Sequence, residues 1–481
     1  MGGIYTMLDF RPNIVWKYFE EITKIPRCSG QEGEIRKWII DLANAHNFKP
    51  EADQYGNVKI SKKALKGFEN SEGLILQAHL DMVCEPAGSI KFPLNLIIER
   101  GWIKAQGTTL GADDGIGVSM ALSVLISDHI KHPPLEILFT VEEETGLTGA
   151  SNLKPGFITY KRLINIDSED EGKITIGGAG GGNSAISLPL KWDKSFQGRI
   201  PMVANITGLK GGHSGVNIHE RANAIKLLSK FLKEVKCKTP EFQLISLEGG
   251  TRHNVIPSEA KACFLIKKEN EIAIKRIADE YLDKWEKQWG ISEPGIKILL
   301  YKTELPGVAL SKDTTDTIVN LLDELPSGVI AWSKDFENVV QTSTNLATIK
   351  TMENTLDITQ SSRSLNAEEI DSTRNNIKYI AEKNGADCFN DESYPAWKPD
   401  PESALLKTAK NVYKNMYGIP SVVEVIHGGL ETGVILNKFP EMDMISIGPT
   451  MENVHSTGER LNIETVEKTY NFLLKLLDAA C

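Results

Sequence analysis

No stretch of the 481-residue chain approaches the roughly 20 uncharged apolar residues that a membrane helix needs. The N-terminus also lacks a basic region followed by an apolar run. A soluble, unexported protein with no membrane partner is expected. Cysteine is sparse: six residues, at 28, 84, 237, 263, 388 and 481, contain no C-x-x-C pair. That pattern excludes a thiolate zinc site and a disulfide framework, so the cysteines read as reduced thiols of a cytoplasmic protein. Basic excess is missing too. With 54 Lys and Arg against 64 Asp and Glu, the net charge is -10, and such a surface repels phosphate backbones, so nucleic acid is excluded as a partner. Met1-Gly2-Gly3-Ile4-Tyr5-Thr6 fits an N-myristoylation pattern, one short enough to arise by chance.

What is present alternates. Short aliphatic runs at 74–77, 135–141 and 163–166 are those of strands buried on both faces of a mostly parallel sheet. Between the first two, residues 115–127 place Val118, Leu122, Leu125 and Ile126 at helical spacing. The glycine run 177–182 leads into the alternating strand pattern Ala185-Ile186-Ser187-Leu188 rather than a helix, so it is read as a hinge or close backbone approach and not a phosphate loop. From there to about 390, strands and helices repeat as two strand-helix-strand-strand-helix runs, the second opening on a strand at 296–303. Two ferredoxin-like units in tandem are expected. The Pro-rich segment 394–401 reads as a linker, after which α/β alternation resumes and closes on a helix at 463–479 opened by Asn462. The fold class is therefore α/β, with a mixed, mostly parallel sheet covered by helices on both faces and an inserted α+β domain. The expected divisions are 1–184, 185–391 and 392–481, the first and last forming one domain.

Functional groups of open α/β sheets gather beyond the carboxyl ends of strands. Here one strand runs into His79-Leu80-Asp81, another into Glu142-Glu143-Glu144, and a third into Asp167-Ser168-Glu169-Asp170. Asp113-Asp114 stands at a helix start, and a late strand leads to His455. A pair of divalent ions needs a bridging carboxylate, terminal His and carboxylate ligands, and a shared water. Two His, two terminal carboxylates and one bridging Asp supply three protein ligands per ion and leave one position open.

In this order the motifs resemble the co-catalytic zinc aminopeptidase, dipeptidase and deacylase superfamily. Longer stretches, Gln77-Ala78-His79-Leu80-Asp81-Met82-Val83, Thr109-Leu110-Gly111-Ala112-Asp113-Asp114-Gly115-Ile116-Gly117, Gly211-Gly212-His213-Ser214-Gly215 and His427-Gly428-Gly429-Leu430-Glu431, are similar to the aminoacylhistidine (Xaa-His, carnosine-cleaving) dipeptidases. The resemblance implies a zinc peptidase-like catalytic domain with an inserted lid, holding two Zn2+ per chain, with Mn2+ or Co2+ accepted by the same donors. One ion would be held by His79 and Asp167, the other by Glu144 and His455, with Asp113 bridging. Gly115 stands where many relatives carry Lys. Glu143 would be the general base, and Asp81 would orient His79. His213 would donate to the oxyanion, Asn254 and Arg363 would hold the substrate carboxylate, and Gly429 would line the pocket. The implied substrate is a small peptide of Xaa-His or broader dipeptide type. A tripeptidase, an N-acyl amino acid deacylase and a non-catalytic peptide binder are the alternatives, and a homodimer leaves open whose site His213 serves. Asp114, Glu142, Glu169 and Asp170 are expected to face solvent or cap helices. His46, His129, His132 and His219 are expected in surface or packing roles, with His253 beside substrate.

Overall fold

The aliphatic runs fold as strands Leu74–His79, Leu135–Thr140 and Arg162–Asn165, the first two buried at every position. They belong to a computed structural model that describes residue 7 and residues 10–194, 198–305 and 307–481. The myristoylation pattern lies outside the described residues. Chain contacts divide the protein into two compact units. The first runs to Gly177 and resumes over Trp397–Val425 and Leu430–Cys481; the second comprises Gly178–Ala396 and Ile426–Gly429.

The first unit is built on an eight-stranded sheet in the order Pro50–Ala52, Val58–Lys62, Leu135–Thr140, Leu74–His79, Arg162–Asn165, Asp443–Ser446, Lys173–Gly178, Val422–Ile426. Leu74–His79 runs parallel to both neighbours, and Asp443–Ser446 runs parallel to Arg162–Asn165. Antiparallel pairs flank this parallel centre on either side. Helix Ala112–Ile126 packs against Leu74–His79 and is buried from Ala112 to Leu125. The 3.6-residue stripe that marked it is therefore one side of a helix enclosed all round, which is why Ser119 and Ser123 turn their hydroxyls onto the carbonyls of Gly115 and Met120. The closing helix Ile463–Ala479 begins at Asn462, whose side chain accepts the N–H groups of Glu464 and Thr465.

The second unit is an antiparallel nine-stranded sheet with the order Lys297–Lys302, Arg199–Thr207, Ala260–Lys267, Gln243–Gly249, Val340–Thr351, Thr355–Ser364, Gly180–Pro189, Asp387–Asn390; Gly328–Trp332 pairs with Val340–Thr351 off this path. Phe231, Phe242, Phe264, Ile318 and Ile377 share one core between sheet and helices. The strand order corrects the expected tandem arrangement. The strand near 296–303 does not open the second repeat; it pairs with Arg199–Thr207 and closes the first. The second repeat opens on Gly180–Pro189, and the whole first repeat sits between that strand and helix Lys312–Glu324. Local pattern shows where strands lie, while partners this far apart in sequence are chosen by packing.

One further expectation changes. Cys28 and Cys84 are joined in a disulfide, leaving Cys237, Cys263, Cys388 and Cys481 as free thiols. The pair is 56 residues apart in sequence, and it is the bridge between Cys28 and Met82 that brings it together, which spacing does not reveal. The Pro-rich segment carries the division between the two units, between Ala396 and Trp397, and it is paired as well: Tyr394 exchanges backbone hydrogen bonds with Gly181, and Trp397 is buried. A Cβ on Gly180 would lie 2.5 Å from the Ala396 nitrogen, so close backbone approach is the reason for glycine there. Among the described residues no helix is long and apolar enough to cross a membrane.

Candidate metal centre

Because three strands of the first unit run parallel, their carboxyl ends open on one edge, and each delivers a ligand-type side chain there. His79 is the last residue of its strand. Glu142, with φ 51°, turns the chain after Leu135–Thr140 so that the N–H groups of Glu143 and Glu144 meet the two oxygens of Asp81 at 3.0 and 3.2 Å. Gly111, at φ 66°, starts the turn that presents Asp113, whose backbone is not helical although it stands at a helix start. His455 also sits at a left-handed φ of 60°, the kind of cost found where a side chain is aimed for function.

Asp113 stands between the two imidazoles. Its Oδ1 is 3.0 Å from His79 Nε2 and its Oδ2 is 2.9 Å from His455 Nε2. Asp167 Oδ1 is 3.4 Å from His79 Nε2, and Glu144 Oε2 is 2.9 Å from His455 Nε2. Two trios thus share one carboxylate. A tetrahedral ion with bonds of 2.0 to 2.1 Å separates its ligand atoms by about 3.3 Å, and the observed spacings of 2.9 to 3.4 Å bracket that value. Charge points the same way. Buried Asp81, Asp113, Asp114, Asp167 and Glu431 crowd against His79 and Arg27, and Glu144 Oε1 is buried with no hydrogen-bond partner among the described residues. A largely buried carboxylate cluster of this kind calls for cations.

Protonation follows from the same crowding. Burial works against a charged His79, but Asp167, Asp113 and Asp81 outweigh it and hold its pKa well above the usual value. His455 is pushed up to about 11 by Asp113 and Glu144 against its own desolvation. Desolvation raises Glu143 well above the carboxylate range, with Glu144, Asp167 and Glu431 adding repulsion, and lifts Asp167 to about 7. Asp113 goes the other way, held well below by both imidazoles despite its burial. Those imidazolium protons are what a divalent ion would displace.

Asp81 lies 3.4 Å from His79 Nδ1, on the side away from Asp113. Asp114, expected to face solvent or cap a helix, does not face solvent: it is fully buried, accepting the backbone N–H of Gly117 at the helix start and that of His79, each at 3.1 Å. Its ligand atoms fall with those of His79 and Asp167 within 4.8 Å, as do those of Asp113 with His79 and Glu144. Both Asp114 oxygens are already engaged, so Asp113 is the better bridge. Glu169 keeps an exposed surface, yet desolvation and the nearby charges of Asp113 and Asp167 push it up to about 8, so it borders the cluster rather than simply facing solvent; Asp170 pairs with Lys173 at 2.7 Å. His46 and His129 are exposed, His132 turns Nδ1 to the Pro133 carbonyl, and His219 packs edge-on against Trp332.

Sequence reasoning missed Glu431, fully buried, which accepts from Gln77 Nε2 at 2.6 Å and from Thr140 Oγ1 at 2.7 Å and is pushed up to about 7 by desolvation. Its signal was the last letter of the His427 to Glu431 motif. Arg27 and Glu459, which hold the turn before Asp113, left no signal at all.

His213, Asn254, Arg363 and Gly429 all belong to the second unit. His213 lies on a short strand paired with Val255–Ile256, and the Asn254 carbonyl accepts from Ser214. Arg363 is buried and donates to the Tyr394 hydroxyl at 2.8 Å. A Cβ on Gly429 would lie 2.8 Å from the Tyr394 ring, which is why glycine stands there. His427 Nε2 is 2.7 Å from Ser343 Oγ and is pushed down to about 3 by burial and by Arg363. His253 is lowered by burial and Arg363 as well. Tyr394, Ser343 and His427 are additions that single-residue reasoning did not single out.

Residues 75–479 match the model of Peptidase family M20/M25/M40. The chain belongs to that family. This M20/M25/M40 peptidase is 35% identical over 472 residues to the cytosol non-specific dipeptidase of Escherichia coli (strain K12), covering 97% of each chain. Its fold matches the crystal structure of aminoacylhistidine dipeptidase from Vibrio alginolyticus with a TM-score of 0.88 at 34% identity, over 99% of this chain and 98% of that one. A tripeptidase from Staphylococcus aureus is similar in fold alone, with a TM-score of 0.56 at 18% identity over 98% of this chain and 99% of that one. Family membership and the histidine–carboxylate cluster make this M20/M25/M40 peptidase a metal-dependent hydrolase.

Proposed function

We propose that the protein is a cytoplasmic dipeptidase of broad specificity, Xaa-His dipeptides included, that carries two Zn2+ per chain. The observation that supports this best is the single carboxylate of Asp113 spanning two imidazoles through its two oxygens. His79 and Asp167 would hold one ion and Glu144 and His455 the other, a donor set that also suits Mn2+ or Co2+. Bound there, such a pair supplies Lewis-acid charge and a water acidic enough to attack near neutral pH. Glu143 would accept a proton from the water that attacks the peptide carbonyl and would hand it to the amine nitrogen as the C–N bond breaks. Asp81 keeps the His79 ring in register.

Residues of the second unit, which contains the proposed lid 185–391 together with Tyr394 and Gly429, would supply the rest. His213 donates to the oxyanion of the tetrahedral intermediate. Arg363, with Asn254 and the bare backbone of Gly429, holds the free carboxylate of the substrate, and the Tyr394 hydroxyl fixes the guanidinium for that task. The relatives named dipeptidases are 34% and 35% identical, against 18% for the tripeptidase, so a tripeptide substrate is not favoured. The proposal includes a homodimer, which analytical ultracentrifugation checks. Hydrolysis of carnosine, Gly-Gly and a tripeptide by zinc-loaded protein tests the rest: both dipeptides should be cut, the tripeptide spared, and a chelator should stop turnover. Cleavage that survives chelation, or no cleavage of any dipeptide, refutes it.

A further inference from the structure

Arg27 precedes the residues that match the family and belongs to no motif, yet it is among the largest fully buried side chains of the protein. A guanidinium taken out of water needs its donors filled. Arg27 Nη1 donates to the carbonyls of Leu80 at 2.9 Å and Asp81 at 2.8 Å, and Nη2 donates to the carbonyl of Gly111. The first two carbonyls follow His79 directly; the third belongs to the turn that presents Asp113. The segment of Arg27 is itself tied to that of His79, since the Met82 N–H donates to the Arg27 carbonyl at 3.0 Å and Cys28 is bonded to Cys84.

Glu459 grips the same turn from its other side. Its Oε2 accepts the N–H groups of Leu110 at 2.7 Å and Gly111 at 3.0 Å, and its Oε1 accepts that of Ala112 at 2.7 Å. It stands four residues after His455, so its loop is also the loop of the second imidazole. Space agrees with charge: a Cβ on Gly111 or Gly115 would lie 2.5 or 2.6 Å from Arg27 Nη2, so the guanidinium fills the volume that side chains there would take.

We infer that Arg27 and Glu459 are positioning residues, a buried clamp that grips residues 110–112 by carbonyl and by N–H and so sets Asp113 against His79 on one side and His455 on the other. The inference rests on the proposed metal centre. Neither residue needs to touch an ion, because fixing the ligand-bearing segments is what an outer partner contributes.

The test is zinc affinity of chelator-stripped protein, measured by competition with a chromophoric chelator, beside melting of the metal-free forms. Arg27→Met and Glu459→Gln should bind zinc on the order of 10- to 100-fold more weakly than wild type. Arg27→Lys should fall between, because one ammonium cannot span carbonyls of two segments as a planar fork does. At saturating zinc their kcat should drop while KM for a dipeptide stays. Variants that melt lower yet bind zinc and turn over like wild type would make the pair merely structural and overturn the clamp. Should Arg27→Met fail to fold, Arg27→Lys and Glu459→Gln decide by the same readings. Wild-type protein that takes up no zinc refutes the metal centre itself, and the clamp with it.

Discussion

The two units gather opposite kinds of chemistry. Around His79 and His455 the first unit concentrates Asp81, Asp113, Asp114, Glu143, Glu144, Asp167 and Glu431. The second unit sets Arg363, His213, His253 and His427 near one another with the hydroxyls of Tyr394 and Ser343. One is an anionic nest that calls for cations; the other is a cationic and neutral donor set fit for an anion. In the proposed dipeptidase the first cluster would activate water and the second would hold the terminal carboxylate of the substrate.

Breaking the anionic side should do most damage. Asp113→Ala removes the carboxylate shared by both trios, so metal content should fall from two ions to at most one and turnover to background, read by elemental analysis beside a dipeptide assay. Glu143→Ala should keep both ions and lose about 10²- to 10⁴-fold in kcat, the range a positioned proton acceptor contributes. Retained turnover would remove it as the base. On the cationic side, Arg363→Met should raise KM for dipeptides by about 10- to 100-fold with a smaller change in kcat, since charge-assisted bidentate contacts are worth about 2 kcal/mol.

pH sharpens the contrast. In the metal-free protein His455 keeps its proton up to about pH 11, above its unfolded value, so its stabilising contribution is full below about pH 6.5 and fades as pH climbs toward 11. Asp167, raised to about 7, also binds its proton more tightly folded than unfolded, so between about pH 4 and 7 stability falls in the same direction. Melting of stripped protein should therefore decline from pH 6 to pH 9. Zinc-loaded protein should lose less or gain, because ions compete with those protons. Equal pH slopes with and without zinc would contradict the crowded-carboxylate account. The smallest effect belongs far from either cluster: Asn462→Ala removes a helix cap and should cost about 1 kcal/mol of stability while activity is kept.

How much of this was legible in the chain follows the same division. Candidate metal ligands stand out because ion chemistry restricts residue types and a parallel sheet restricts where they stand, so His79, Asp113, Glu144, Asp167 and His455, which lie together in the fold, could each be proposed from the chain alone. The cap at Asn462 was readable because caps are local. The nested strand order of the second unit was not, because Gly180–Pro189 and Val340–Thr351 flank the same strand across more than a hundred residues. The Cys28–Cys84 bond, the burial of Asp114 and the grip of Arg27 escaped for the same reason: each is decided by a partner far away in sequence. Tyr394 hid inside a segment whose prolines read as a linker.

The central claim is that Asp113 joins two ions into one centre. A crystal of zinc-loaded protein, with anomalous scattering recorded at the zinc edge, tests it directly. The account predicts two peaks about 3.5 to 4 Å apart on opposite oxygens of Asp113, one beside His79 and Asp167 and the other beside Glu144 and His455. No peak at Asp113, or zinc bound only elsewhere on the protein, would contradict it.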